Sequence, residues 1–349
     1  MVRDKQNNRT NPRHLSRARP IDAKGGAYTD IRTLIRLRYA VRELDSLVLP
    51  KSTNPLAGLL SSKFRGRGID FAEVRIYQPG DDVRTIDWRV TARMQTPHTK
   101  LFQEEKERPV LILVDQSMSM FFGSRHSFKS VIAAEAAALI AWTNLDRGDR
   151  VGGIVFNEYQ HREVRPRRSK HSVLRLLHEM NDFNHLLSRE ALAHHKSAAQ
   201  IQEGENRRAS TDYPSKNYLA EALRSVRRVA KHGSTIFLIS DYRSLNDQAK
   251  IHIRELARHN DIVGIFVTDP LEQSLPAPDL YTITDGTNKA KINTANKQYR
   301  GIYEKAFDDY ADQLRSEFAR IKSPLIEVST ADPIVHSLAS RFTEQAVQA

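Results

Sequence analysis

The sequence predicts an α/β protein whose body is a doubly wound, mostly parallel sheet in a three-layer αβα arrangement, preceded by a small N-terminal β-rich appendage. Three observations carry this. From Pro109 onward, short apolar runs alternate with segments of helical period, the pattern of parallel strands joined by crossover helices. Runs such as Val110–Val114 are unbroken rather than alternating, as in strands buried on both faces. Before that region, Glu73–Tyr77 alternates apolar and charged residues, as a strand with one wet face does.

In chain order, residues 1–27 are expected to be a disordered arm. Arg3, Lys5, Arg9, Arg13, Arg17 and Arg19 face only Asp4 in the first twenty positions. Residues 28–107 group a helix, Tyr28–Leu44, with the appendage. The helix sets Ile31, Leu34, Ile35, Leu37 and Val41 near one face and should dock on the body. Leu47–Gly58 reads as a linker. Strand Glu73–Tyr77 runs into the turn signal Gln78–Asp82, then a short strand or turn at Val83–Trp88 and another strand at Thr99–Gln103. Arg75, Arg84, Arg89 and Arg93 sit among Glu73, Asp81, Asp82, Asp87, Glu104 and Glu105. The charges there read as an internal ion-pair lattice or as a recognition surface, and Trp88 as the apolar anchor of the appendage.

Residues 108–343 form the body. Strands are expected at Pro109–Val114, Arg150–Asn157, Thr235–Ser240, Asp261–Thr268 and Leu325–Val328, with a hairpin piece at His161–Arg167. Helices are expected at Phe128–Leu145, Ser169–Met180, Tyr218–Lys231, Asp247–His259, Tyr303–Ile321 and Pro333–Arg341. Residues 182–211 are polar and weakly patterned and read as a surface excursion. Residues 271–298 read as turns and short strands. There are no internal repeats.

Composition narrows the function classes. With 349 residues and 40% hydrophobic content, the chain can bury a substantial core. It contains no cysteine, which excludes disulfides, thiolate zinc sites and cysteine nucleophiles and suits a reducing cytoplasm, the expected compartment. Ser130–Leu145 is too short to cross a bilayer and carries Glu135, so no transmembrane segment is expected. The formal charge of +12 would permit binding to nucleic acid or an anionic membrane through the arm. The arm has no aromatic residues and no nucleic-acid module follows it, which argues against that role. The thirteen histidines show no metal-ligand spacing.

The chemistry-bearing residues lie at expected strand ends. Asp115, Ser117 and Ser119 alternate after the first parallel strand, and oxygen donors so spaced can converge on one hard cation. Alternatively, they satisfy local backbone donors. Asp241 and Asp269 also follow strands, and aligned carboxyl ends in an open sheet would gather some of these acids. Asp269 is expected to cap the following turn instead of reaching the cation. Enzyme readings fit poorly. Aspartyl-phosphate chemistry wants a second acid where Ser117 stands, and the near phosphate loop Gly123–Ser130 has Phe128 where its second glycine must be.

These residues resemble a known family. Asp115-x-Ser117-x-Ser119 with Ser240–Asp241 is similar to the metal-ion-dependent adhesion site of the von Willebrand factor type A fold. Gly66–Phe71, Val74–Trp88, Thr91–Arg93, Glu104–Glu105 and Asp269–Glu272 with Leu275–Pro276 resemble the bacterial domain-of-unknown-function 58 family (DUF58). The resemblance implies a bound Mg2+, with Mn2+ or Ca2+ as substitutes, and a non-catalytic role in protein interaction. It implies a partner that supplies an acidic residue, and an adaptor role beside a MoxR-type AAA+ ATPase. The family's third ligand is a Thr five residues before an Ala-Leu pair. Here Ala222–Leu223 puts Asn217 at that place, whose amide oxygen is still a hard ligand; Thr211 and Ser215 are alternatives. The rival readings are a metal-dependent phosphoesterase or hydrolase and an anionic-surface binder acting through the arm.

Overall fold

The computed structural model describes residues 26–47, 70–103, 109–201, 217–284 and 289–338. Residues 1–25 of the expected arm, residues 48–58 of the linker, Thr211 and Ser215 lie outside these residues; the end of the arm is ordered, Gly26 forming a parallel bridge with Ser127.

The body is a six-stranded sheet of β3 (Pro109–Asp115), β4 (Arg150–Phe156), β5 (His161–Arg167), β6 (Thr235–Ser240), β7 (Asp261–Thr268) and β10 (Leu325–Ser329). Its order is β10-β7-β6-β3-β4-β5, all parallel except β5, which runs antiparallel on β4. From β3 the chain moves outward to β4 and β5, then returns to the other side of β3 for β6. The strand order therefore reverses at β3, and the carboxyl ends of β3 and β6 meet at that switch point, the place where open α/β sheets take ligands.

Both faces are covered. On β3, Val110, Ile112 and Val114 pack into one apolar layer and Leu111 and Leu113 into the other, all buried. The first layer holds α1 (Ile31–Leu47), α3 (Lys129–Asp146) and α4 (Lys170–Ile201). The second holds α5 (Tyr218–Val229), α6 (Asp247–Ala257) and α8 (Lys297–Arg320). Helix α3 is buried around its whole circumference from Lys129 to Trp142, as a helix central to its layer must be. Helix α1 packs into this layer, with Trp142 Nε1 donating to Leu34 O (3.1 Å), and so joins the body although it adjoins the appendage in sequence.

Helix α4 corrects the excursion reading over residues 182–201; residues 202–211 of it lie outside the described residues. It continues past Met180 to Ile201, with Phe183, Asn184 and Leu187 buried. Asn184 belongs to a buried polar cluster. Its Nδ2 donates to Gln116 Oε1 (3.2 Å) and Ser130 Oγ (3.0 Å), and its Oδ1 accepts from Thr29 N (2.8 Å).

The appendage pairs β1 (Asp70–Ile76) with β2 (His98–Gln103), antiparallel, and carries a 3-10 turn at Val83–Thr85 and a short helix α2 (Trp88–Met94). Val83–Trp88 is thus a turn leading into a helix. The insert after β7 is a short helix, α7 (Pro270–Gln273), and a hairpin of β8 (Leu280–Thr284) and β9 (Lys289–Asn293); the chain is again helical over 334–338. No helix among the described residues is long and apolar enough to cross a membrane.

Candidate functional site

The strand reversal brings together residues singled out from the sequence. Asp115 ends β3 on the Leu111 and Leu113 side and is completely buried. Its Oδ1 accepts the Ser117 N–H (2.9 Å) and its Oδ2 accepts the Ser240 hydroxyl (2.6 Å). Ser117 Oγ and Ser119 Oγ lie 3.1 Å apart on the 3-10 turn that follows. Ser240 is the last residue of β6, so one hydroxyl joins the two central strand ends. Burial, and after it the neighbouring Asp241 charge, push the Asp115 carboxyl up to about 7, against the hydrogen bonds it accepts.

Asp241 is buried and compensated differently. Its Oδ1 accepts the Arg243 N–H (3.1 Å), and its Oδ2 accepts from Lys129 Nζ (2.8 Å). The same ammonium reaches Glu272 Oε1 on α7 (2.8 Å). Lys129 is 1% exposed. Burial works against its charge, but Asp241 and Glu272 outweigh it and hold the ammonium above the ordinary lysine value. Tyr242, next in the chain, adopts φ 57, a left-handed conformation uncommon for a bulky residue. Tyr310 of α8 donates to Asp241 O (2.7 Å) and lies under the Arg243 guanidinium (5.2 Å).

Asp269 caps, as expected. It opens α7 in a reciprocal capping box with Glu272 and accepts Ser124 N (2.8 Å), Ser124 Oγ (2.6 Å) and the Thr330 hydroxyl. Burial opposes its ionisation, yet those hydrogen bonds hold its carboxyl below the usual range. Asn217 precedes α5, and its Oδ1 accepts from Asn246 Nδ2 (2.6 Å), so its ligating oxygen is shared with the residue that caps α6.

Three contributors were not found from the sequence. Lys129 appeared there only within the near phosphate loop. In the structure Gly123 is pinned by close approach, since a Cβ would meet Ser127 O at 2.4 Å, and Lys129 points at carboxylates. The signal for Lys129 was present: a cation opening an otherwise apolar helix must find buried anions. Glu158, from the β4–β5 turn, accepts Met118 N (2.7 Å) and pins the serine loop. Tyr218, at the start of α5, has its hydroxyl pushed up to about 12 by burial and by the Asp115 charge.

The donors facing Asp115 are hard oxygens, the chemistry that suits Mg2+ or Ca2+. Asp115 itself meets only neutral donors in hydrogen bonds, which leaves a place for a cation's charge. Asp241 is already served by Lys129. Among the described residues no three His, Asp or Glu side chains converge as a ready metal cluster. The residues therefore fit a hydroxyl-rich site with Asp115 as its principal anion.

The family described as "Protein of unknown function DUF58" matches residues 73–313. Relatives include Uncharacterized protein Rv1480 of Mycobacterium tuberculosis and Uncharacterized protein Mb1516 of Mycobacterium bovis. Each is 29% identical over 244 residues, spanning 69% of this chain and 68% of the relative. Among solved structures, the conserved hypothetical protein BatB from Bacteroides thetaiotaomicron aligns at 14% identity and TM-score 0.37, over 69% of this chain and 100% of that one. With a family match that runs from β1 through most of α8 and covers the doubly wound body, the chain belongs to the DUF58 family.

Proposed function

We propose that this protein is a non-catalytic, metal-dependent protein-interaction module of the cytoplasm. In this reading Asp115, Ser117 and Ser119 hold Mg2+, with Asp241 and Asn217 as further oxygen donors, and a coordination position remains for a partner's carboxylate. The observation that carries it is Asp115, a buried carboxylate bonded only to neutral donors and pressed by a second carboxylate. A divalent cation relieves that repulsion. The partner class, a MoxR-type AAA+ ATPase, follows from the family resemblance.

The test has two parts. Titration calorimetry with Mg2+ should give one site in the wild type and none in Asp115→Asn. Affinity should fall as pH drops through about 7, where a proton competes for Asp115. Capture of a MoxR-type ATPase on the immobilised protein should then require Mg2+ and Asp115; equal capture in EDTA removes the metal from the account.

A further inference from the structure

In the appendage Asp81, Asp82 and Asp87 have partners, whereas Arg84, Arg89 and Arg93 meet no carboxylate among the described residues. Asp81 accepts from Arg75 NH2 (2.7 Å) and from Gln78 N (2.9 Å). Asp82 caps the 3-10 turn through Arg84 N (3.0 Å). Asp87 caps α2 through Arg89 N (3.0 Å) and Val90 N (3.2 Å) and lies 3.5 Å from Lys100 Nζ. These hydrogen bonds hold the carboxyls of Asp81 and Asp87 below their usual range even against burial. The Arg84, Arg89 and Arg93 side chains are exposed, and no carboxylate among the described residues pairs with them. Among the described residues, the expected lattice comes to Arg75–Asp81 and Lys100–Asp87; Glu104, Glu105 and the Glu73 side chain lie outside them.

Helical register places these cations together. On α2, Val90 and Thr91 turn inward, the Thr91 hydroxyl accepting the His98 N–H (3.0 Å), while Trp88, Arg89, Ala92 and Arg93 share the outward arc. Trp88 is 68% exposed, so it does not anchor the appendage. Val83 and Met94 are exposed beside this arc. The surface is an indole flanked by guanidinium forks, beside which Asp81, Asp82 and Asp87 already have partners.

We infer that this face of α2 and the preceding turn docks an acidic segment of a partner protein, whose carboxylates pair with Arg84, Arg89 and Arg93 and whose apolar side chain covers Trp88. Charge complementarity selects this occupant. Arg forks bind carboxylates bidentately, and an exposed Trp beside Arg is the make-up of an interface anchor. A nucleic acid is the poorer fit, because the surface shows one exposed indole and no run of aromatic faces on which successive bases could stack among its described residues. The surface is separate from the Asp115 site and needs no metal.

The probe is a short fluorescein-labelled peptide of Glu, Asp and Leu, titrated into the full-length protein with EDTA present and read by anisotropy. The expected result is binding that weakens with salt, alters the emission of Trp88 and falls roughly tenfold or more when Arg84, Arg89 and Arg93 become Glu. Trp88→Ala should also weaken it. The peptide with Lys for every acid should not bind. Because the three guanidinium groups make no described bond, the triple variant should melt with the wild type; earlier melting would mean that they are structural and would overturn the assignment. So would equal binding of the basic peptide, preference for a single-stranded oligonucleotide, self-association abolished by Trp88→Ala, or no binding of the acidic peptide. Since EDTA is present throughout, failure here leaves the Asp115 reading standing, and failure of that reading leaves this one.

Discussion

The sheet edge and the appendage are both rich in charge but handle it in opposite ways. At the edge, Asp115, Asp241 and Lys129 are buried, and each charge is answered, or left pressing on another, across elements far apart in sequence. In the appendage every described acid from Asp81 to Asp87 bonds within a few residues or to the adjacent strand. The packing differs to match. The body has two apolar layers, whereas the buried side chains described over residues 74–100 are His98 and Thr99, both polar. A region held by caps and turns can leave its arginines and tryptophan for others, while one closed around buried charge is committed to its internal partners.

The strongest test of that contrast is Lys129→Met. Removing the ammonium strands Asp241 and Glu272 in a buried setting, a loss of roughly 3–5 kcal/mol by analogy with broken buried ion pairs. Urea denaturation should report it as a lowered midpoint at an unchanged slope. If the ammonium answers the acids of the site, Mg2+ should recover part of the loss and should raise the variant's melting temperature more than the wild type's. A loss below 1 kcal/mol would mean that the edge tolerates unpaired charge as readily as a surface does.

Glu135 gives the next largest effect. It lies in α3 among apolar neighbours, 3% exposed, and burial pushes its carboxyl up to about 7. Because the folded value exceeds the unfolded one, the folded state holds its proton longer, so this residue lowers stability as pH rises from about 4.5 to 7. Glu135→Gln should therefore be nearly neutral at pH 4.5 and more stable than wild type at pH 8 by about 3 kcal/mol. A pH-independent difference would show that Glu135 finds a partner in solution.

The body was legible in the sequence because its strands are unbroken apolar runs such as Val110–Val114, whose burial on both faces leaves few alternatives. Asp115 and Asp241 were legible because parallel strands align their carboxyl ends. Lys129, Glu158 and Glu272 were not, since each meets the site through a contact that only the assembled topology creates. The extension of α4 was hidden by polar residues around Asn184, although Met180, Phe183 and Leu187 keep helical spacing. Helix α2 was missed because Asp87 was taken for an ion-pair partner before a cap. Trp88 was misplaced because an indole is usually sheltered, and nothing local signals that this one stands on the exposed arc of α2.

The smallest effects separate residues that build the appendage from residues it displays. Asp87→Ala removes the side chain that accepts from Arg89 N and Val90 N, and loss of such a cap costs about 1 kcal/mol. Because no residue of α2 is buried, that cost should appear locally, as faster amide exchange over residues 88–94 with the β3–β6 amides unchanged. Arg89→Ala, one turn-residue later, removes no described bond and should change neither exchange nor melting by more than about 0.5 kcal/mol. If Arg89→Ala speeds exchange as much as Asp87→Ala does, the arginine supports the helix, and the division between building and displayed residues fails at the place where it is drawn most sharply.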